Sequence, residues 1–130
     1  MDSTIRALYD AFNRRDWTAI SEIVSPDVVI EETPGASPEA RTYRGWDGTR
    51  AYLDGTFKFW EQVNFEVRRI IWADQSRAAV AVRTTLTGRG SSAEVTSDSG
   101  TLVKFRDGSL VRATIYRTTE GALEAASLRE

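Results

Sequence analysis

Residues 77–118, RAAVAVRTTLTGRGSSAEVTSDSGTLVKFRDGSLVRATIYRT, decide the fold. They read as three long strands joined by two reversals marked by glycine. Val80, Val82, Val95, Leu102, Val103, Phe105, Val111 and Ile115 supply the β-branched and aromatic content that strands favour. Asp107-Gly108, between two alternating runs, is the signal of a two-residue hairpin, and the other reversal lies in GRGSS, 88–92. The rest of the chain reads as material that packs onto this block.

Immediately upstream, Phe65 to Ala73 alternates as a fourth strand, and the turn DQS, 74–76, returns it into the block. At the start of the chain, Ile5, Leu8, Tyr9 and Phe12 fall at helical spacing between Ser3 and Arg15, which predicts an amphipathic helix. Asp16 is placed to cap a second short helix with a stripe of Trp17, Ile20, Ile23 and Val24, ended by Ser25-Pro26-Asp27. Val28 to Thr33 alternates as a short strand, with Val28, Ile30 and Glu32 on one side and Val29, Glu31 and Thr33 on the other. PGASPEART, 34–42, is rich in turn formers and reads as a surface loop and mobile lid. Tyr43 to Trp46 is a small strand. Asp47 then caps a third helix whose Leu53, Thr56, Phe57 and Trp60 share a face and which ends near Val63, with Gly55 weakening it. Thr118 or Thr119 caps a terminal helix, EGALEAASL, 120–128. This order predicts one α+β domain over residues 1–130, with helices segregated to one face of an antiparallel sheet.

Composition narrows the chemistry. The chain has 130 residues, 17 Lys and Arg against 19 Asp and Glu, and no basic run, so neither nucleic acid nor an anionic membrane is expected as a partner. It has no cysteine and no histidine, which excludes a thiol nucleophile, a Cys or His metal site and a Ser-His-Asp triad. No apolar leader follows Met1, and no stretch approaches the roughly 18 apolar residues of a membrane span, so a cytoplasmic location is expected.

Four strings in order, LYDAFNRRDWTAISEIVSPDVVIEETPG (8–35), TYRGWDGTRAYLDGTF (42–57), TGRGSSAEV (87–95) and FRDGSLVRATIYRTTEGALEAASL (105–128), resemble the SnoaL-like branch of the NTF2-like superfamily. That group includes polyketide cyclases, ketosteroid isomerases and limonene-type epoxide hydrolases. The resemblance implies a cone, a curved sheet wrapped round a long helix with a hydrophobic pocket on the concave side. It also implies a homodimer through the convex face, to which Val80, Val82 and Leu86 would lend apolar cover. For function it implies cofactor-independent acid/base chemistry on a small hydrophobic carbonyl or epoxide compound. A non-catalytic ligand-binding or dimerisation module is the alternative.

Glu32 continues the buried parity of Val28 and Ile30, and it matches the place of the carboxylate base in ketosteroid isomerases. Apolar walls would raise its pKa toward the useful range; a strand that frays early would leave it solvated. The tyrosine position of that family's first helix falls on Leu8, and its buried aspartic acid falls near Thr101. One residue along a helix is a rotation of about 100°, so the resemblance does not carry the tyrosine's role to Tyr9. Arg83 stands mid-strand, either on the concave side to clamp developing negative charge or on the convex side in a salt bridge. Epoxide hydrolases carry an arginine and an aspartate two apart on this strand, where the present chain has Arg83 and Thr85. Asp98 reads as a solvated edge residue. Ser99 and Thr101 are candidates to line a wet pocket wall, Tyr116 to offer a phenol to a carbonyl or to pack on the last helix, and Phe12 and Trp60 to present apolar faces to a ligand.

Overall fold

In a computed structural model, which describes residues 2–37, 39–58, 60–88, 90 and 93–127, the elements run α1 (Asp2–Arg14), α2 (Trp17–Ile23), β1 (Val24–Glu32), β2 (Thr42–Arg44), α3 (Gly45–Phe57), β3 (Trp60–Trp72), β4 (Arg77–Gly88), β5 (Glu94–Arg106), β6 (Ser109–Tyr116) and α4 (Thr119–Ala125). The six strands form one curved sheet in the order β2-β1-β6-β5-β4-β3; β1 runs parallel to β6 and every other neighbour is antiparallel. The architecture is the expected α+β cone, except that α4 packs on the convex face and not with the other helices on the concave one.

The hairpin signal holds. Arg106 pairs with Ser109 across Asp107 and Gly108, whose φ of +52° and +80° are those of a type I′ turn. Of the other reversal, Thr87 pairs with Glu94, while Arg89, Ser91 and Ser92 lie outside the described residues, as do Pro38 in the predicted lid and Leu128 at the predicted end of the last helix. Bulges interrupt β3 between Val67 and Arg69 and β5–β6 at Lys104 and Phe105, and such insertions bend and twist a sheet.

α1 lays Ile5, Leu8, Ala11 and Phe12 into the hollow of the sheet, where they meet Val80 and Val82 of β4 and Val103 and Phe105 of β5 in one core. Asn13 fastens the helix to the outer edge of β3: its Nδ2 donates to the Phe65 carbonyl at 2.8 Å and its Oδ1 accepts from the Phe65 N–H at 2.7 Å. The carboxamide thus stands in for a neighbouring strand at an edge that is otherwise open to pairing. Asp16 caps α2 by accepting from Ala19 N–H, and Thr118 caps α4 by accepting from Gly121 N–H.

Three expectations need correction. Trp60 is the first residue of β3, not part of α3; the apolar spacing of Phe57 and Trp60 mimics a helix, but the full length of β4 offers partners as far as Gly88, opposite Trp60. Asp47 lies inside the first turn of α3, where a carboxylate still favours the helix dipole, and the capping position is Arg44, which makes no side-chain cap. Val80 and Val82 face the core, buried by the chain's own helices, and half-buried Leu86 packs on the same core. They lend nothing to the convex face. That face carries α4 instead, whose Ala122 and Leu123 pack on Ala79, with Ile71 and Tyr116 beside them. Gly100 lets the helix approach, since a Cβ there would stand 2.8 Å from the Thr118 carbonyl oxygen and 2.9 Å from Ala122 Cβ.

Candidate functional site

Alternation sends Val28, Ile30 and Glu32 of β1 to the concave side, the first two fully buried. Glu31 goes to the opposite face and pairs with Arg112 at 2.6 Å. Glu32 sits where β1 ends, paired with Ile115 of β6, and its backbone N–H donates to the Arg41 carbonyl at 2.9 Å. Its carboxylate is half-buried and accepts from Ser37 Oγ at 3.1 Å and from the Arg41 N–H at 3.3 Å. Those bonds tie the loop after β1 to the strand. Ser37 Oγ in turn accepts from the N–H of Ala40 and of Glu39, and Arg41 pairs with Glu39.

Two spaces lie on this side of the sheet. A cleft of about 260 Å³ is lined by Glu32, Ser37, Glu39, Arg41, Tyr43 and the α3 residues Tyr52, Gly55 and Thr56. Deeper in the cone, a cavity of about 50 Å³ is bounded by Tyr9 and Phe12 of α1, Tyr52 of α3, and inward-facing residues of β3 to β6 that include Phe65, Ser99, Thr101 and Ile115. Tyr9, Phe12 and Phe65 contact one another edge to face at 5.6–6.4 Å between centroids, which fixes the inner wall.

The polar groups of the inner cavity are phenols and hydroxyls. Tyr9 is 9% exposed and Thr101 5% exposed, and both line this cavity. Burial pushes the Tyr9 phenol up, and the neighbouring Thr101 hydroxyl offsets part of that. Tyr52 is pushed up as well, first by burial and then by Tyr9, Glu32 and Tyr43. Tyr43 meets Tyr52 edge to face at 5.5 Å and is raised by burial and by the charge of Glu32. All three phenols therefore keep their protons at neutral pH and can act as donors. The line from Thr101 through Tyr9 and Tyr52 to Tyr43 and Glu32 joins the two spaces.

Of the residues singled out from sequence, Phe12, Ser99 and Thr101 line the inner cavity and Glu32 the outer cleft. The structure does not bring Arg83, Tyr116 or Trp60 to them. Arg83 lies on the convex face, cross-strand from Asp98, with Nε 2.8 Å from Oδ1 and Nη2 3.2 Å from Oδ2. This bidentate pair holds the Asp98 carboxyl below its ordinary pKa. Tyr116 sits beneath α4, its Cβ 3.2 Å from where a Gly121 side chain would begin, and Trp60 is half-buried at the start of β3. Sequence reasoning passed over Tyr9 as a site residue and did not weigh Tyr43 or Tyr52. Tyr9 does point into the cavity: it and Leu8 both belong to the buried arc of α1, and the wall falls to Tyr9 while Leu8 joins the core. Extending the α3 stripe back one turn from Thr56 would have found Tyr52.

Among the described residues no three His, Cys, Asp or Glu stand together to hold a metal ion, and no helix is long and apolar enough to cross a membrane.

The fold and the cavity at its centre define a cone of the NTF2-like kind. The sequence profile of the SnoaL-like domain matches residues 5–113, and the chain belongs to that family. Solved structures agree on the fold. An NTF2-like protein of unknown function from Burkholderia pseudomallei is 22% identical, with 95% of this chain and 94% of that one covered and a TM-score of 0.75. IdmH from Streptomyces antibioticus, a proposed polyketide cyclase, is 20% identical over 97% of this chain and 96% of its own, also with a TM-score of 0.75. AclR from Streptomyces galilaeus, a proposed hydroxylase, is 19% identical over 99% and 85%, with a TM-score of 0.71. A comparison with curated proteins gives no match.

Proposed function

We propose that this protein is a small-molecule enzyme that performs isomerisation, cyclisation or hydration on a hydrophobic carbonyl or epoxide compound by carboxylate acid/base chemistry. The observation that carries this reading is that Glu32 shares the concave side with the Tyr9–Thr101 pair, with Tyr52 bordering both of their spaces. With a ketone, the Glu32 carboxylate removes a proton from the carbon beside the carbonyl and the electron pair moves to the carbonyl oxygen. Tyr9 O–H donates a hydrogen bond to that oxygen as its charge grows, a contribution typical of a buried donor aimed at an oxyanion. Glu32 then returns the proton at another carbon, or the enolate attacks a second carbonyl of the same molecule and closes a ring. IdmH, the proposed polyketide cyclase, has the same fold and supports this class of chemistry. The reading includes work without a cofactor, in the cytoplasm, by a homodimer joined through the convex face.

A second reading, a ligand-binding module without turnover, has one observation in its favour: the Glu32 carboxylate already accepts two hydrogen bonds from its own loop. A thermal-shift screen with hydrophobic ketones, lactones and epoxides, followed by turnover assays on each compound that raises the melting temperature, separates the two. Glu32→Gln keeps an oxygen to accept from Ser37 and Arg41 but removes the base. The enzyme reading expects its turnover to fall at least about a hundredfold with binding retained. Binding without turnover in the unaltered protein would favour the module.

A further inference from the structure

Gly55 has no steric reason to be glycine. It lies inside α3, its φ is not in the left-handed region, and a Cβ built there would meet nothing within 4 Å. Glycine inside a helix costs stability relative to alanine, so the position gives up helix strength without a turn or close contact to explain it. What the missing side chain does is keep the outer cleft open, since Gly55 is part of its wall. Tyr52 stands three residues earlier on the same helical face, and side chains on a helix lean toward its N-terminus, so any side chain at 55 would lie over Tyr52. Among the described residues that line the two spaces, Tyr52 alone borders both. The inner cavity, at about 50 Å³, has room for no more than a few waters, whereas the two spaces joined reach the lower end of the ~300–1,000 Å³ typical of small-molecule sites.

We propose that the gap over Gly55 is the way into the cone and that the Tyr52 ring is a movable partition which sets the size of compound admitted to the Tyr9–Thr101 pocket. A compound enters past Gly55, the Tyr52 ring turns aside, and the two rooms become one. A single ring fits after a small displacement, and a fused bicyclic compound needs the full swing. The inference takes from the function proposed above only that the cone interior receives the ligand; it does not depend on Glu32 as a base.

The chain contains no cysteine, so Thr101→Cys places one thiol in the inner pocket, and its labelling measures access directly. Methyl and benzyl methanethiosulfonate serve as the small and the bulky reagent. The ratio of their rates cancels any difference in thiol ionisation between backgrounds. Adding Tyr52→Ala should raise the benzyl-to-methyl ratio about tenfold or more, and adding Gly55→Leu should slow both reagents by about tenfold or more, as expected when a gate is removed or blocked. Circular dichroism and melting curves establish that each variant is folded, and Tyr52→Leu replaces Tyr52→Ala should the latter fail to fold. An unchanged ratio without the Tyr52 ring overturns the partition, unchanged rates in the Gly55→Leu background overturn the route, and no labelling in any background overturns both. Glu32→Gln should leave the benzyl-to-methyl ratio unchanged while turnover falls about a hundredfold or more, so the failure of one proposal is visible apart from the failure of the other.

Discussion

Asn13→Ala tests how the wall of the cone is held. Asn13 gives and takes one hydrogen bond with the backbone of Phe65, at 2.8 and 2.7 Å, and so fastens α1, which carries Tyr9 and Phe12, to the outermost long strand. Each bond contributes a net ~0.5–1.5 kcal/mol, so losing both should cost about 1–3 kcal/mol. In a domain of this size 1 kcal/mol corresponds to roughly 3–5 °C, which puts the expected fall in melting temperature at about 3–15 °C. Urea unfolding followed by circular dichroism gives the free energy, and an unchanged slope against urea shows that the shift in midpoint is a change in stability. Asn13→Asp is a sharper test. It keeps an oxygen for the Phe65 N–H but turns a carboxylate toward the Phe65 carbonyl, so it should not restore stability. A loss below about 0.5 kcal/mol for Asn13→Ala would mean that water replaces both bonds without penalty and that apolar packing alone holds α1.

Gly100→Ala should push α4 off the convex face, because the new Cβ would lie under 3 Å from backbone at Thr118 and Thr119; a loss of about 1–3 kcal/mol with the cavity residues unperturbed in NMR spectra is expected. Tyr9→Phe keeps the ring and removes the donor, so turnover should fall about 10²–10³-fold with little change in melting temperature. Asp74 accepts from the N–H of Ser76 and from the side chain of Arg77, which lowers its pKa to about 2. A carboxylate depressed in the folded state contributes stability that is present above its unfolded value, near 3.8, and is lost as the pH falls toward 2. Asp74→Asn should therefore flatten the stability curve between about pH 4 and pH 2 and leave its shape above pH 5 unchanged.

The strand block was legible because alternation and the Asp107-Gly108 turn are local signals, and the side taken by Glu32 followed from parity alone. The face of Arg83 was also within reach: in AAVAVRTT the bulky residues Val80 and Val82 share one parity and the small Ala79 and Ala81 the other, and Arg83 belongs with the small ones. Bulk marks the core and smallness marks the seat of a packed helix, here α4. Tyr116 follows the same parity, paired with Gly100. The start of β3 was hidden because one turn of apolar spacing is shared by helix and strand until long-range pairing decides. The choice between Leu8 and Tyr9 was hidden for a related reason, since both lie in the buried arc and only the position of the opposing strands tells wall from core. Tyr52 is partly of the same class: the helical stripe marks it, but Tyr9 and Phe65, which share the inner cavity with it, are distant in sequence.

The most direct test of the account is exchange of the protons beside a bound ketone's carbonyl for deuterium, followed by NMR in D₂O, with the protein unaltered and as Glu32→Gln. The account predicts exchange well above the buffer rate for the unaltered protein and a fall of about a hundredfold or more without the carboxylate. Equal exchange in the two proteins, for a ketone that both bind, would contradict it.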